Sequence, residues 1–480
     1  MSDSLPHIPL LRKGVPYTSL DQVTLSDHRT GEALATISHA NAGLMVRDIL
    51  DTPTTREQVC AQITTREAID ICEAASEHFL NDTLPLGDHT QSPEDFVRSQ
   101  SATTAMPQEM CRLNMQKIYK AMKHAGAILD SLTMNLDTTI LDQGYGTQFD
   151  RMTSFLERGT NLGVLLPNNS PGVHALWIPA IALRMPLILK PGGQEPWTPY
   201  RVLQALLKAG YPKEALGYYP TGHGPANTLL SRTDRVMTFG DESTVNKWAG
   251  DPRVEVHGPG YSKIILGEDV ADDWENYLDI MVTSIAANGG RSCINASSVW
   301  TPRHGKELAE ALGKRLAEIT PKSVQDDDAR LAGFSNPHMA EMINQSIEAG
   351  LFTEGATDTS ASYRHGERLT TVDGTTFLQP TALWIKDHNH PLAGKEYLFP
   401  FATVLEVPQQ DVPAKLGSTL VGSVVTDDKA FARTMLNNRN INRLNIGAIA
   451  TPSIDWDQPH EGNLFDFLFE RRAFQSAPTT

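Results

Sequence analysis

From Gly163 onward the chain alternates short apolar runs with helical stretches, and this alternation restricts the possible folds more than any other feature. "GVLLP" is followed by Ser170 and Pro171, which can start a helix through "GVHALWIPAIALR". "PLILK" follows, and then "TPYRVLQALLKAG", a helix with Gly210 just past its end. "LGYYP", "DRVMTF" and "RVEVHG" continue the series. Strands this short and this apolar are buried on both faces. Alternating with helices, they predict a parallel α/β sheet whose ligands sit at the strand ends. A second α/β unit is expected after about residue 258.

The N-terminal part, to about residue 135, is read as irregular chain followed by amphipathic helices. In "CRLNMQKIYKAMKHAGAILDSL", Cys111, Met115, Ile118, Met122, Ala125, Leu129 and Leu132 recur in steps of three and four, giving one buried stripe. In "TTREAIDICEAASEHFL", Thr64 and Glu67 fit a capping box, with Ala68, Ile71, Cys72, Ala75 and Phe79 facing inward. Cys72 and Cys111 are therefore expected to be inert core. "LDTTILDQGYGTQFDRMTSFLERG" is more strand-like.

The chain has 480 residues, enough for two or three domains, and a formal charge of −16. That charge argues against nucleic acid or an anionic membrane as main partner. The most apolar window, "HALWIPAIALRMPLILK", is interrupted by Pro179, Arg184 and Pro186 and does not suit a membrane span. The four cysteines include no CxxC pair, and the N-terminus has no signal-peptide pattern. A reduced, cytoplasmic setting is expected. In "DHNH", His388 and His390 lie on opposite faces of any extended segment, so a loop is expected rather than a metal site.

Several segments, taken in order, resemble the aldehyde dehydrogenase superfamily. "LLPNNSPG" is similar to its strand-end loop and places Asn169 at the oxyanion-binding asparagine, with Pro167 beside the cofactor. "LILKPGGQEPWTP" puts Lys190 at the cofactor-contacting lysine, and "TGHGPAN" puts Gly222, Gly224 and Pro225 in the next glycine turn. "TFGDEST" resembles the phosphate-proximal turn through Gly240 and Asp241. "NGGRSC" places Cys293 at the catalytic thiol, and "GKEYLFPFATVLEV" puts Glu396 at the carboxylate for the cofactor ribose. The match is clear from Leu162 to Val407.

The resemblance implies a Rossmann-type cofactor domain from residues 1–137 and 161–257, and an α/β catalytic domain from 258–450. It also implies a small oligomerisation flap from 138–160 and 451–480. A homodimer or homotetramer that oxidises a small aldehyde with NAD or NADP is implied. The chemistry stands on its own terms. A thiolate attacks the carbonyl, Arg291 and glycine-rich backbone favour ionisation, and amide donors from Asn169 and Cys293 meet the oxyanion. Asn169 has a competing use as a cap for the helix that follows.

The sequence departs from the family at "VEVHGPGYSK". Hydrolytic members carry a water-activating glutamate here; this chain has His257. Three readings follow: a histidine general base, coenzyme A as acyl acceptor in place of water, or a structural strand-end histidine. Gly193 stands where many NAD-using members have a carboxylate, which makes NADP acceptable. Val245 and Phe399 replace glycines, and "TPSIDWDQPHEGNLFDFLFERRAF" replaces the usual glycine-rich C-terminal segment. The two lost glycines motivate a third alternative, a catalytically silent scaffold protein.

Overall fold

The computed structural model describes residues 5–477. Its first large sheet has seven strands in the order Val254–His257, Arg235–Phe239, Leu162–Leu165, Leu187–Lys190, Leu216–Tyr218, Leu10–Arg12, Val15–Tyr17. The first five pair in parallel and the last two are antiparallel. Leu162–Leu165 is the earliest of the parallel strands. The chain adds two strands on one side of it, then two on the other. Loops leaving Leu165 and Phe239 therefore diverge and open a crevice at the carboxyl ends of the strands. Every residue placed near a cofactor by motif order, apart from Glu396, lies at or beyond these ends.

A second seven-stranded sheet runs Ala356–Asp358, Thr381–Ile385, Phe401–Glu406, Ala296–Thr301, Ser262–Leu266, Thr419–Val425, Ile441–Ile446. All of it is parallel except the first pairing. A three-stranded antiparallel ribbon joins Phe469–Arg472, Arg151–Glu157 and Tyr145–Gln148.

The expected long helix after Ser170 is instead a 3-10 turn, Pro171–Leu176, followed by the single helical turn Pro179–Ala182. Pro179 has no amide hydrogen and its ring crowds the preceding turn, so one continuous helix cannot form. Trp197–Lys208 is helical as the pattern requires, and Gly210 behind it takes φ +89°. The stripe from Cys111 to Leu132 is buried throughout, although it is divided between two helices that break at His124. In Thr65–Asn81, Ala68, Cys72, Ala75 and Phe79 are buried as expected, while Ile71 is only half-buried and Ile69 is buried in addition. Phe399 is 1% exposed and packs beside Phe401 and Tyr397. Core aromatic packing thus explains the lost glycine. No helix among the described residues is long and apolar enough to cross a membrane.

The capping box is present in full. The Thr64 hydroxyl accepts from the amide of Glu67, and the Glu67 carboxylate accepts from the amide of Thr64 at 2.7 Å. Thr64→Ala is expected to destabilise the fold by about 1 kcal/mol, read as a lowered urea midpoint at unchanged slope.

Candidate active site

The thiol sits at the end of a turn that only "NGG" suits. Asn288, Gly289 and Gly290 take φ of 53°, 64° and 69°, a run of left-handed residues that asparagine and glycine tolerate best. A Cβ on Gly290 would come within 2.4 Å of the Phe399 carbonyl carbon. Behind the turn, Asn295 accepts from the Ser292 amide at 2.9 Å and donates to Ser284 and Ala287 carbonyls. Cys293 is half-buried, and its carbonyl accepts from the Ser262 hydroxyl at 2.9 Å. Gly260 is in such close contact that a Cβ there would lie 1.9 Å from the same carbonyl oxygen.

Arg291 does not serve the thiol. Its guanidinium is buried, donates to the carbonyls of Thr104 and Gly333, and lies over the Phe334 ring. It anchors the turn instead of lowering the thiol pKa, which corrects the expectation from adjacency. Burial and the charges of Glu461 and Glu396 push the Cys293 thiol well up.

Asn169 donates one amide hydrogen to the Arg291 carbonyl at 3.0 Å. It caps no helix, since the following 3-10 turn has Ser170 at its start and no side-chain cap. An amide nitrogen carries two hydrogens, so one of them keeps no protein partner among the described residues.

His257 differs most from expectation. At the end of its strand it lies flat against Phe239, with ring centroids 4.8 Å apart. Nε2 meets Glu255 at 3.0 Å and Nδ1 meets Glu461. Burial alone would lower its pKa, but hydrogen bonds and charge from both carboxylates prevail and raise it to about 10. At neutral pH it is an imidazolium donating from both nitrogens, so it cannot act as a general base. A histidine pKa raised above 6.5 stabilises the fold fully below that value, and the stabilisation is lost as pH rises toward 10. His257→Gln should therefore lower the melting temperature at pH 7, and its melting temperature should vary less than the native protein's between pH 7 and 10.

Glu396 is also occupied. Its carboxylate accepts from the amides of Gly260 at 3.1 Å and Tyr261 at 2.6 Å. Burial pushes it up to about 7 despite these bonds. It thus clamps the "GPG" turn, and its contacts differ from those of the ribose ligand implied by motif order. Tyr261 donates to Glu242 at 2.6 Å.

Asp241 accepts from the Thr244 amide at 3.0 Å and the Ser243 hydroxyl at 2.6 Å, capping helix Glu242–Trp248 with its own carboxylate. Gly240 lies tight against Thr244. That helix start is therefore unsuited to a pyrophosphate. Other positions do fit a dinucleotide. Lys190, at its strand end, has no hydrogen-bonding or ionic partner among the described residues, and burial lowers its pKa. A Cβ on Gly193, Gly222 or Gly224 would meet nothing within 4 Å. Helix His223–Arg232, which includes Pro225, begins at Gly222 without a side-chain cap. Backbone amides and one lysine thus remain free at these strand ends, the donor set an anionic group needs.

Cys293, Asn169, Pro167, Gly240, Asp241, His257 and Glu396 line one cavity of about 810 Å³. Pro452, Ile454, Asp455, Trp456, Asp457, His460 and Glu461 complete it. This part of the 451–480 segment therefore belongs to the cavity wall, while Phe469–Arg472 joins the ribbon. The sequence singled out none of Glu255, Trp456, His460 and Glu461. "PHEG" has no recognisable motif, and 204 positions separate Glu461 from His257. One local signal existed, a glutamate before glycine in a polar loop, but many turns share it.

A family model described as "Aldehyde dehydrogenase family" matches residues 91–463. A mitochondrial aldehyde dehydrogenase of Leishmania tarentolae is 23% identical over 267 residues, covering 53% of this chain and 51% of that protein. A mitochondrial 10-formyltetrahydrofolate dehydrogenase of Mus musculus is 26% identical over 269 residues, covering 53% of this chain and 28% of its own. The chain spans about half the length of the Leishmania protein. Among solved structures, an indole-3-acetaldehyde dehydrogenase complexed with NAD+ superposes with a TM-score of 0.80 at 15% identity, over 98% of this chain and 96% of its own. The aldehyde dehydrogenase KauB from Pseudomonas aeruginosa gives 0.80 at 15% identity, over 98% and 97%. At such identity the likeness is one of fold.

Proposed function

The chain belongs to the aldehyde dehydrogenase family, and from that premise we propose that it oxidises an aldehyde with NAD or NADP, using Cys293 as nucleophile. The observation that supports this is the shared cavity, where Cys293 and Asn169 stand beside the crevice of the parallel sheet.

The Cys293 proton passes to solvent through the cavity, and the sulfur bonds to the carbonyl carbon as the C=O π bond opens, which places negative charge on the aldehyde oxygen. The free amide hydrogen of Asn169 and the Cys293 backbone amide are the donors for that oxygen. A bound nicotinamide dinucleotide supplies the hydride acceptor. Lys190 and the amides at the start of helix His223–Arg232 would hold it. Loss of hydride leaves a thioester on Cys293, and water releases the acid. The open space at Gly193 admits either nicotinamide dinucleotide. The ribbon of residues 145–157 and 469–472 is the element we propose for homo-oligomer contacts.

The test uses a panel of aliphatic aldehydes from acetaldehyde to decanal, together with benzaldehyde, each with NAD and NADP and with or without coenzyme A. Reduced-cofactor absorbance together with free carboxylic acid by mass spectrometry is the expected result. An acyl-CoA product in place of the acid would assign coenzyme A as acceptor. Absence of reduced cofactor across the panel would overturn the proposal.

A further inference from the structure

We infer that Glu461, held by the imidazolium of His257, is the carboxylate that takes a proton from the water releasing the acid from Cys293. The inference rests on the function proposed above and names the group that His257 itself cannot be. An imidazolium already donating to two carboxylates has no lone pair to offer, so the proton must be accepted elsewhere in the cavity.

The cavity carboxylates differ in what they already hold and in what they act on. Asp455 and Asp457 also line the wall, but neither is among the charges acting on the Cys293 sulfur. Glu396 accepts two backbone amides, and Asp241 caps a helix. Glu255 lies on the far side of His257 and does not line the cavity. Glu461 and Glu396 are the carboxylates whose charges act on the Cys293 sulfur. Of these two, only Glu461 keeps an oxygen without a protein partner among the described residues. Oε2 meets Nδ1 of His257, and no hydrogen bond reaches Oε1 at the cavity wall.

The backbone supports the same assignment. Glu461 takes φ +54°, a left-handed conformation that is unfavourable for a residue carrying a Cβ. Its amide donates to Asn442 at 2.9 Å, and Gly462 follows at φ +132°. Such strain persists where surrounding contacts fix it, and it recurs at functional sites. The neighbouring His460 is neutral, because burial pushes its pKa down to about 4, so it adds no competing positive charge. His257 lies between Glu255 and Glu461 and bonds to both, which fixes the Glu461 carboxylate at the cavity wall.

The step balances. Water oxygen bonds to the thioester carbon while one water proton passes to Glu461. The C–S bond then breaks, and sulfur leaves as thiolate. Glu461 returns the proton to that sulfur, which regenerates the thiol and frees the carboxylic acid. His257 is the positioning residue and Glu461 the catalytic one.

Rapid-mixing kinetics with the best aldehyde of the panel separates the two halves of the reaction. Glu461→Gln is expected to keep a burst of reduced cofactor of about one per active site and then to turn over roughly 100-fold or more slowly, the scale of a lost general base. Intact-protein mass should show the acyl group accumulating on the protein, and Glu461→Asp should recover part of the rate. In His257→Gln the burst should survive, while kcat falls with KM little changed, because Glu461 is no longer held in place by Nδ1. Steady-state turnover of Glu461→Gln within about threefold of the native enzyme would overturn the inference and leave the proposed function standing. So would loss of its burst together with turnover. A native enzyme without any burst or turnover would overturn both.

Discussion

Cys293→Ala forms no reduced cofactor above background, a loss expected to reach about 10⁴-fold or more, since removing a nucleophile removes the covalent route altogether. The circular dichroism and melting temperature should stay close to native. The site is half-buried beside an open cavity, so truncation there removes little packing. Two further features make the result specific. Cys72 and Cys111 are fully buried in the helical core, and burial raises both thiols, Cys72 to about 12. Neither should react with iodoacetamide in the folded protein. Cys60 is half-buried, so the labelling is best read in a Cys60→Ser background. One carbamidomethyl group should then appear, on Cys293, in step with loss of activity. The thiol is held above its usual range by burial and by Glu461 and Glu396, so labelling should be slow at pH 7 and accelerate as pH rises. It should also accelerate when Glu461→Gln removes one of those charges. Activity that outlasts complete modification of Cys293 would exclude it as nucleophile.

Features that depend on short-range rules were legible in the sequence. Alternating apolar runs gave the parallel sheet because a strand buried on both faces has almost no choice of composition. Thr64 with Glu67 gave a helix start because two amides need acceptors there. "NGG" before the cysteine was legible as a glycine-rich turn, and its left-handed run is what the structure adds. The long-range electrostatics were not legible. His257 as a neutral base was reasonable from its intrinsic pKa, but what decides its charge is Glu461, brought from the far end of the chain. Arg291 beside Cys293 suggested electrostatic help, yet two carbonyls on other segments hold its guanidinium. Glu396 stood at the family's carboxylate position, and its partners proved to be amides of the "GPG" turn. In each case what the side chain does is set by partners from distant segments.

Gly260→Ala is expected to cost the enzyme about 100-fold or more in turnover while the protein still folds, because the new methyl group would strike the backbone that carries the thiol. Gly260 is fixed on three sides. Its amide donates to Glu396 at 3.1 Å, and its carbonyl accepts from the Leu420 amide at 2.7 Å. Its Cα faces Cys293, where a Cβ would lie 1.9 Å from the carbonyl oxygen and 2.7 Å from the carbonyl carbon. No flexible side chain can swing aside, so backbone must give way. The Leu420 contact lies in the sheet and should resist, which leaves the Cys293 loop and the Glu396 clamp to shift. A displacement near 1 Å there moves sulfur relative to the Asn169 amide and disturbs attack far more than it disturbs the fold. Overpacking of this kind costs about 1–3 kcal/mol of stability, visible as a lower urea midpoint. Gly417→Ala is the control, since a Cβ there meets nothing within 4 Å, and both turnover and midpoint should remain near native. Iodoacetamide labelling of Cys293 should also change in rate in Gly260→Ala. Equal turnover in the two alanine variants would show that the thiol loop does not depend on this contact.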